Sequence, residues 1–184
     1  SACLVGSEMC IRDSMYIPLT GANSAASLSS KPIRFVLLDE VDKYPPRSGG
    51  GKEADPISLA RERTNTFSYN KKIFITSTPT LKTGAIWKEW ESCTRKLYFY
   101  VPCPHCGKFQ RLRFQQLKFP KEGSKTDRAQ AAYYECPYCQ GKIGDAQKHR
   151  MLQQGKWMNE GETEGKRVSP KKTGFALNAL YSPW

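Results

Sequence analysis

Four cysteines stand in two matched turns, Cys103-Pro104-His105-Cys106-Gly107 and Cys136-Pro137-Tyr138-Cys139-Gln140-Gly141. Each C-x-x-C turn lets two thiolates face one point, and two turns together supply four sulfurs in a tetrahedral array that suits Zn²⁺. Four thiolates leave no open coordination position, so such a metal would be structural. Redox use of a C-x-x-C is the rival reading; the matched pairing, and the lack of a strand-to-helix setting, weigh against it. His105 lies inside the first turn and reads as a spacer. A second constellation is Asp39-Glu40, directly after the apolar run Phe35-Val36-Leu37-Leu38. Two carboxylates at the end of a buried strand are costly without a partner. That is the Walker B position of P-loop NTPases, where the Asp holds Mg²⁺ and the next acid polarises the attacking water. The other reading is an acidic pair that opens a turn before Asp42-Lys43-Tyr44-Pro45-Pro46. Gly49 to Lys52 is rich in glycine but lacks the G-x-x-x-x-G-K-[ST] spacing of a phosphate cradle, and it reads as a surface loop.

The elements that must position these residues follow from pattern. A continuous apolar run at 35–38 marks a strand buried on both faces, as in a parallel sheet. Asp55-Pro56 is a helix start, and Ile57, Leu59, Ala60, Arg61, Arg63 and Phe67 fill a helix that ends at Asn70-Lys71. Lys72 to Ser77 repeats the buried-strand pattern and ends in Thr78-Pro79-Thr80. Two such strands joined by a helix form a β-α-β unit with a right-handed crossover and with both strands ending on one sheet edge, where ligands of open α/β sheets sit. This places Ser77 and Thr78 beside Asp39 and Glu40. Their hydroxyls would sense a γ-phosphate, or merely cap the next helix, Gly84 to Cys93, which carries Trp87 and Trp90.

Lys96 to Val101 alternates, with Tyr98 and Tyr100 on one face and Leu97, Phe99 and Val101 on the other. Between the cysteine turns a hairpin from Phe109 to Phe119 with a basic tip is expected, and Gly123 to Ala129 is read as loop. Arg111, Arg113, Lys118, Lys121, Lys125 and Arg128 lie in this stretch and could meet phosphates without reading sequence. Asp145 is expected to cap a helix running to about Gln154, with Gly155 as its stop. Met151, Leu152 and Trp157 read as core, Asn159 to Lys172 as loop, and Thr173 to Leu180 as a last strand.

Composition bounds the function class. The chain has 184 residues, 29 Lys+Arg against 17 Asp+Glu, a net charge of +12 and seven cysteines. That length suits one domain, or a core with an appendage. At 39% hydrophobic residues and a mean hydropathy of −0.62, the chain can bury a core. No apolar run approaches the roughly 18 residues that span a bilayer. No signal-peptide pattern is present, and an odd number of cysteines with two C-x-x-C pairs fits an intracellular metal-binding chain better than a disulfide scaffold. Residues 1–94 hold 12 basic and 10 acidic side chains; residues 95–184 hold 17 and 7. A polyanion would be drawn to the second half, although a solvated lysine-rich surface reads the same way. Ser1 to Ser14 has no clear period and resembles translated sequencing-adapter sequence; the expectation is that the protein proper begins near Met15, with an ordinary helix or strand as the alternative. The expected division is 1–14 as that foreign segment, 15–95 as a nucleotide-binding core, 96–145 as the metal-binding subdomain, and 146–184 returning to the core.

Taken in order, seven segments carry a resemblance: GANSAASLSSKPIRFVLLDEVDKYP, ADPISLARERTNTF, KKIFITSTPT, YVPCPHCGKFQRL, YYECPYCQGKI, KHRMLQQGKW and GFALNALYSPW. From about residue 20 to the end, the chain resembles the large terminase subunit of lambda-like tailed phages, the GpA type of DNA-packaging motor. The resemblance implies an α/β fold: part of a P-loop NTPase (RecA-like) parallel sheet with a small zinc-ribbon-like β subdomain. It implies an ATPase that moves double-stranded viral DNA into a procapsid, with a Walker A loop before this region and an endonuclease domain after it in full-length members. By position, Asp39 would be the Mg²⁺ ligand and Glu40 the catalytic glutamate. Ser77, Thr78 and Pro79 would belong to the motif coupling hydrolysis to DNA movement; neither Arg61 nor Arg63 is assigned as an arginine finger. Cofactors would be ATP, Mg²⁺ and structural zinc on Cys103, Cys106, Cys136 and Cys139. Partners would be the DNA, the terminase small subunit, the portal protein and further copies of the chain, in the host-cell cytoplasm. The chain lacks a Walker A motif, so by itself it should bind ATP weakly or not at all. The competing readings are a non-enzymatic zinc-ribbon DNA-binding module with a degenerate α/β partner, and a thiol redox protein.

Overall fold

The computed structural model describes residues 3–5, 8–11, 15–23, 31–47, 54–160 and 172–182. The chain divides into two compact units, Ser1–Glu91 and Ser92–Trp184. In the first, β1 (Cys3–Val5), β2 (Glu8–Ile11) and β3 (Met15–Pro18) form an antiparallel sheet in that order, with Met9 opposite both Leu4 and Ile17. The segment expected to be foreign therefore contributes two strands.

The apolar runs at 35–38 and 72–75 form β4 (Phe35–Leu38) and β5 (Lys72–Ile75). They pair in parallel, from Phe35 opposite Lys72 to Leu38 opposite Ile75. Between them runs α1 (Pro56–Glu62), started by Asp55, whose Oδ1 accepts from the N–H groups of Ile57 and Ser58 at 3.0 and 3.1 Å. Proline at the first helical position gives up an N–H that would have had no partner. The helix stops well short of Asn70. The fully buried Thr64 turns its hydroxyl back onto the Arg61 carbonyl at 2.7 Å, and a single 3-10 turn covers Asn65–Phe67. That local bond competes with helix continuation. Leu38, Val41, Ile57 and Ala60 form the core here, joined by Ala85 and Ile86 of α2 (Ala85–Glu91). The expectation that both strands are buried on both faces is corrected. Their α1 side is covered, but Leu37 is 75% exposed and Phe74 57%, with Phe35 beside them in sequence alternation. Among the described residues both helices pack on one side of a two-stranded sheet, so alternate side chains have no covering layer.

The second unit is built on β6 (Arg95–Pro102), whose alternation buries Leu97 and Val101 as expected. At its far end β7 (Phe109–Gln110) pairs with it antiparallel. The expected Phe109–Phe119 hairpin does not form. A 3-10 turn at Phe114–Gln116, held by the Arg113 N–H donating to the Gln116 side chain at 3.0 Å, redirects the chain. It enters β8 (Leu117–Lys118), which pairs instead with β9 (Tyr133–Glu135). The stretch read as loop contains α3 (Lys125–Gln130), closed by reciprocal bonds between Ser124 and Asp127. This is a capping box, readable as S-x-x-D. β10 (Lys142–Ile143) completes a sheet in the order β10-β9-β8.

α4 spans Asp145–Gln153, but Gly144 is its cap residue and Asp145 lies in its first turn. The Gln147 side chain accepts from the Gly144 N–H at 3.1 Å. Gly155 follows the helix because a Cβ there would sit 2.1 Å from Cζ of Phe99. β11 (Lys156–Asn159) lies antiparallel to β6 and β12 (Thr173–Ala176) parallel to it. β11 and β12, from the stretch expected to return to the nucleotide-binding core, thus share a sheet with β6. Of the expected loop Asn159–Lys172, positions 161–171 lie outside the described residues, as does the Gly49–Lys52 loop. Met151 is core, whereas Trp157 is part-exposed on β11, stacked between Phe99 and Phe175 with centroids 5.1 Å from each. The last strand ends early, and Asn178 caps a 3-10 turn (Ala179–Tyr181) that buries Tyr181 beside Val101, Leu112, Tyr134 and Ile143.

Candidate functional site

At the carboxyl edge of the β4–β5 pair, the two chain exits are stitched together. The Thr76 N–H donates to the Leu38 carbonyl at 2.8 Å, and the Val41 N–H to the Thr76 carbonyl at 3.4 Å. The Ser77 hydroxyl accepts from the Asp42 N–H at 3.1 Å. Asp39, Glu40 and Ser77 therefore sit at one edge, with Thr78 and Pro79 exposed on the loop that leaves it. Glu40 has φ 55° and ψ 42°, a left-handed conformation uncommon for a residue with a Cβ. Its N–H donates to Asp39 Oδ1 at 3.0 Å, and its carboxylate pairs with Lys43 at 3.0 Å. Neither acid is buried, so solvent meets the cost that burial would have imposed.

Pattern reasoning overlooked the third acid. Asp42 Oδ2 accepts from the Thr80 N–H at 3.0 Å and the Thr80 hydroxyl at 3.1 Å, and its Oδ1 from the Ile86 N–H at 2.8 Å. Helix α2 is thus capped from a distance by Asp42, not by Ser77 or Thr78. Burial pushes the Asp42 carboxyl up, but the bonds from Ile86 and Thr80 outweigh it and hold the group below its ordinary range. Gly84 leaves room for this, since a Cβ there would lie 2.6 Å from Asp42 Oδ2. The signal in the sequence was the glycine-led helix start with no capping side chain of its own. Arg61 is committed to Glu89 at 2.5 Å, and Arg63 Nε donates to the Lys31 carbonyl at 2.8 Å.

In the second unit the four cysteine sulfurs all lie within 4.8 Å of one another. Cys103 and Cys139 are 3.8 Å apart, Cys106 and Cys136 3.9 Å. Four thiolates about 2.3 Å from one tetrahedral ion would be about 3.8 Å apart, so the donor set fits a Zn²⁺-sized ion. The two turns are superimposable in their bonding. In the first, the Cys103 N–H donates to the Lys108 carbonyl and the Gly107 N–H to the Cys103 carbonyl, each at 2.9 Å. In the second, the Cys136 N–H donates to the Gly141 carbonyl at 3.1 Å and the Gln140 N–H to the Cys136 carbonyl at 2.9 Å. The left-handed position falls on Gly107 in one and on Gln140 in the other. Gly141 answers a different need: a Cβ there would sit 2.6 Å from the His105 ring. His105 is accordingly more than a spacer, because its Nε2 donates to the Lys142 carbonyl at 2.8 Å and ties one turn to the other.

A family model for the phage terminase large subunit gpA, ATPase domain, matches residues 9–157. The chain belongs to the GpA terminase family. The match spans β4, β5 and all four clustered cysteines, and it begins inside the Ser1–Ser14 segment that was expected to be foreign. This terminase chain is also 26% identical over 177 residues to the "Terminase, large subunit" of Enterobacteria phage P21, with 89% of the chain and 27% of that protein covered. The chain thus spans about a quarter of the length of that curated relative. No solved structure matches it. Among the described residues no helix is long and apolar enough to cross a membrane.

Proposed function

We propose that this terminase chain supplies the Walker B side of an ATPase that drives double-stranded DNA into a procapsid. The observation that carries the reading is the common carboxyl edge, where Leu38 pairs with Ile75 and the acids leave beside Ser77. In this reading Asp39 holds Mg²⁺, whose chemistry is to neutralise charge on the transferred phosphoryl group. Glu40 accepts the proton of the attacking water, as a general base within one hydrogen bond of it. Ser77 and Thr78 sense the nucleotide, and with Pro79 they relay its state to the DNA-moving parts. Asp42 positions this loop, since it binds both the segment after Ser77 and the start of α2.

Cys103, Cys106, Cys136 and Cys139 hold structural zinc in a zinc-ribbon-like subdomain. The packaging partners are the terminase small subunit, the portal protein and further copies of the chain, in the host-cell cytoplasm, with endonuclease activity in a separate domain of the whole protein. The test is Glu40→Gln in the full-length protein. ATP turnover should vanish while DNA binding persists. Turnover that survives the substitution defeats Glu40 as the base, whereas a full-length wild type that binds DNA but turns over no ATP favours the non-enzymatic zinc-ribbon DNA-binding module, which the basic second half and the cysteine cluster would serve equally well.

A further inference from the structure

A groove of about 430 Å³ opens on the second unit, lined by Tyr100, Gln110, Arg111, Arg113, Gln116 and Tyr138. The two guanidinium groups of its wall converge on one carboxylate oxygen. Glu160 Oε1 lies 3.0 Å from Arg113 and 3.9 Å from Arg111. Arg111 is held in place from behind by the Tyr98 ring, 3.8 Å from its centroid. Burial pushes the Tyr100 hydroxyl up, and the same three charges act on it as well, Glu160 in the same direction and both arginines against it. Gln110 is 2% exposed, yet its Nε2 has no hydrogen-bond partner among the described residues. The Gln110 Oε1 accepts from Gln116 Nε2 at 3.5 Å, while the shielded Nε2 is a packing cost of the groove wall and not a donor open to a ligand.

Two converging arginines describe an oxyanion site, and Glu160, itself half-exposed, fills it only with a single carboxylate. Exposed pairs of this kind are weak enough to exchange. The neighbouring rings are already engaged by cations, Tyr98 by Arg111 and Tyr138 by Lys108 at 5.3 Å. They are therefore not free as platforms for unstacked bases, which favours contact with a duplex backbone over a single strand.

We propose that Arg111 and Arg113 form a binding site for a backbone phosphate of duplex DNA, and that Glu160 occupies it in the DNA-free protein as an internal phosphate mimic that must leave when DNA arrives. The inference rests on duplex DNA being the substrate. The acid acts as a gate on affinity: it lowers non-productive binding and is displaced once a run of phosphates competes with it.

The experiment is a salt titration of a labelled duplex binding to the whole chain, wild type and variants, with metal content and thermal unfolding measured on each. Glu160→Gln should tighten binding about three- to tenfold. Arg111→Gln and Arg113→Gln should each weaken it and lower the log–log salt slope by about one unit. In the Arg111→Gln/Arg113→Gln background, Glu160→Gln should change nothing, whereas a general charge effect would tighten binding in both backgrounds. Glu122→Gln, an equal charge change on an exposed residue outside the groove, is the control. If Glu160→Gln tightens binding equally in both backgrounds, or Glu122→Gln matches it, the mimic is overturned. If wild type binds DNA with a slope that the arginine variants leave unchanged, the groove is wrong while the DNA reading stands. If wild type binds no duplex even at low salt, both fall.

Discussion

Single side chains in this molecule do the work of whole contacts. The Tyr181 hydroxyl accepts from the buried Leu112 N–H at 2.9 Å and donates to the Phe99 carbonyl, while its ring packs edge-on against Phe99. Tyr181→Phe keeps the packing and strands the Leu112 N–H. It should cost about 1–3 kcal/mol, read as a lower urea midpoint of the second unit with an unchanged slope. Asp42 is the corresponding residue of the first unit. Its folded carboxyl lies below the ordinary 3.8, so its stabilisation is present above that value and is lost as pH falls through the lower folded one. Asp42→Ala should therefore cost about 0.5–2 kcal/mol near neutral pH, like the loss of a helix cap. The deficit should shrink below about pH 4, when the wild type loses the same charge. A deficit that stayed constant into acid would show that the charge is not what matters. Neither residue was legible beforehand. Tyr181 sits where a strand was expected to continue, and the partners of Asp42 lie 38 and 44 positions away in sequence.

At the scale of elements, what could be read was what is encoded locally. The parallel strands follow from unbroken apolar runs, and the cysteine turns from a spacing that leaves few alternatives. What escaped was pairing between distant short segments. β7 and β8 contain two residues each, too few for periodicity to act, and their partners are chosen by β6 and β9 rather than by each other. Helix α3 escaped for a different reason, since its Ser124–Asp127 box was present but hidden in a basic stretch that looked like a tip. The two cysteine turns close the β6–β7 and β9–β10 connections, so a metal held by the four thiolates would cross-link the sheets of the second unit. Chelation should then strip about one zinc per chain and cause amides on both sheets to lose protection from hydrogen exchange together, while β4 and β5 keep theirs. Protection that survived chelation would mean that packing around Val101 and Met151 suffices without the metal.

At the scale of the whole molecule, charge is divided unequally between the units. The first is nearly neutral and carries the acidic edge; the second carries most of the net +12. The chain has no G-x-x-x-x-G-K-[ST] loop, and in P-loop enzymes that loop supplies the phosphate-cradling contacts. Titration of this chain with labelled ATP and Mg²⁺ should give weak binding or none, and tight Mg²⁺-dependent binding would contradict that dependence on the cradling loop. The bare side of the β4–β5 sheet belongs to the same scale. The sequence showed strands suited to two covering layers, and among the described residues one is present. The apolar pattern records what the strands require, whereas exposure records what this stretch of polypeptide can offer them.

Glu40 adopts a backbone conformation that glycine would occupy without strain, and holding it there costs roughly 1–2 kcal/mol. Glycine at that position would release the strain and delete the carboxylate together. A screen of this chain for heat tolerance alone would thus drift toward Glu40→Gly, and under the proposed reading its hardiest survivors would be the ones that had lost their general base.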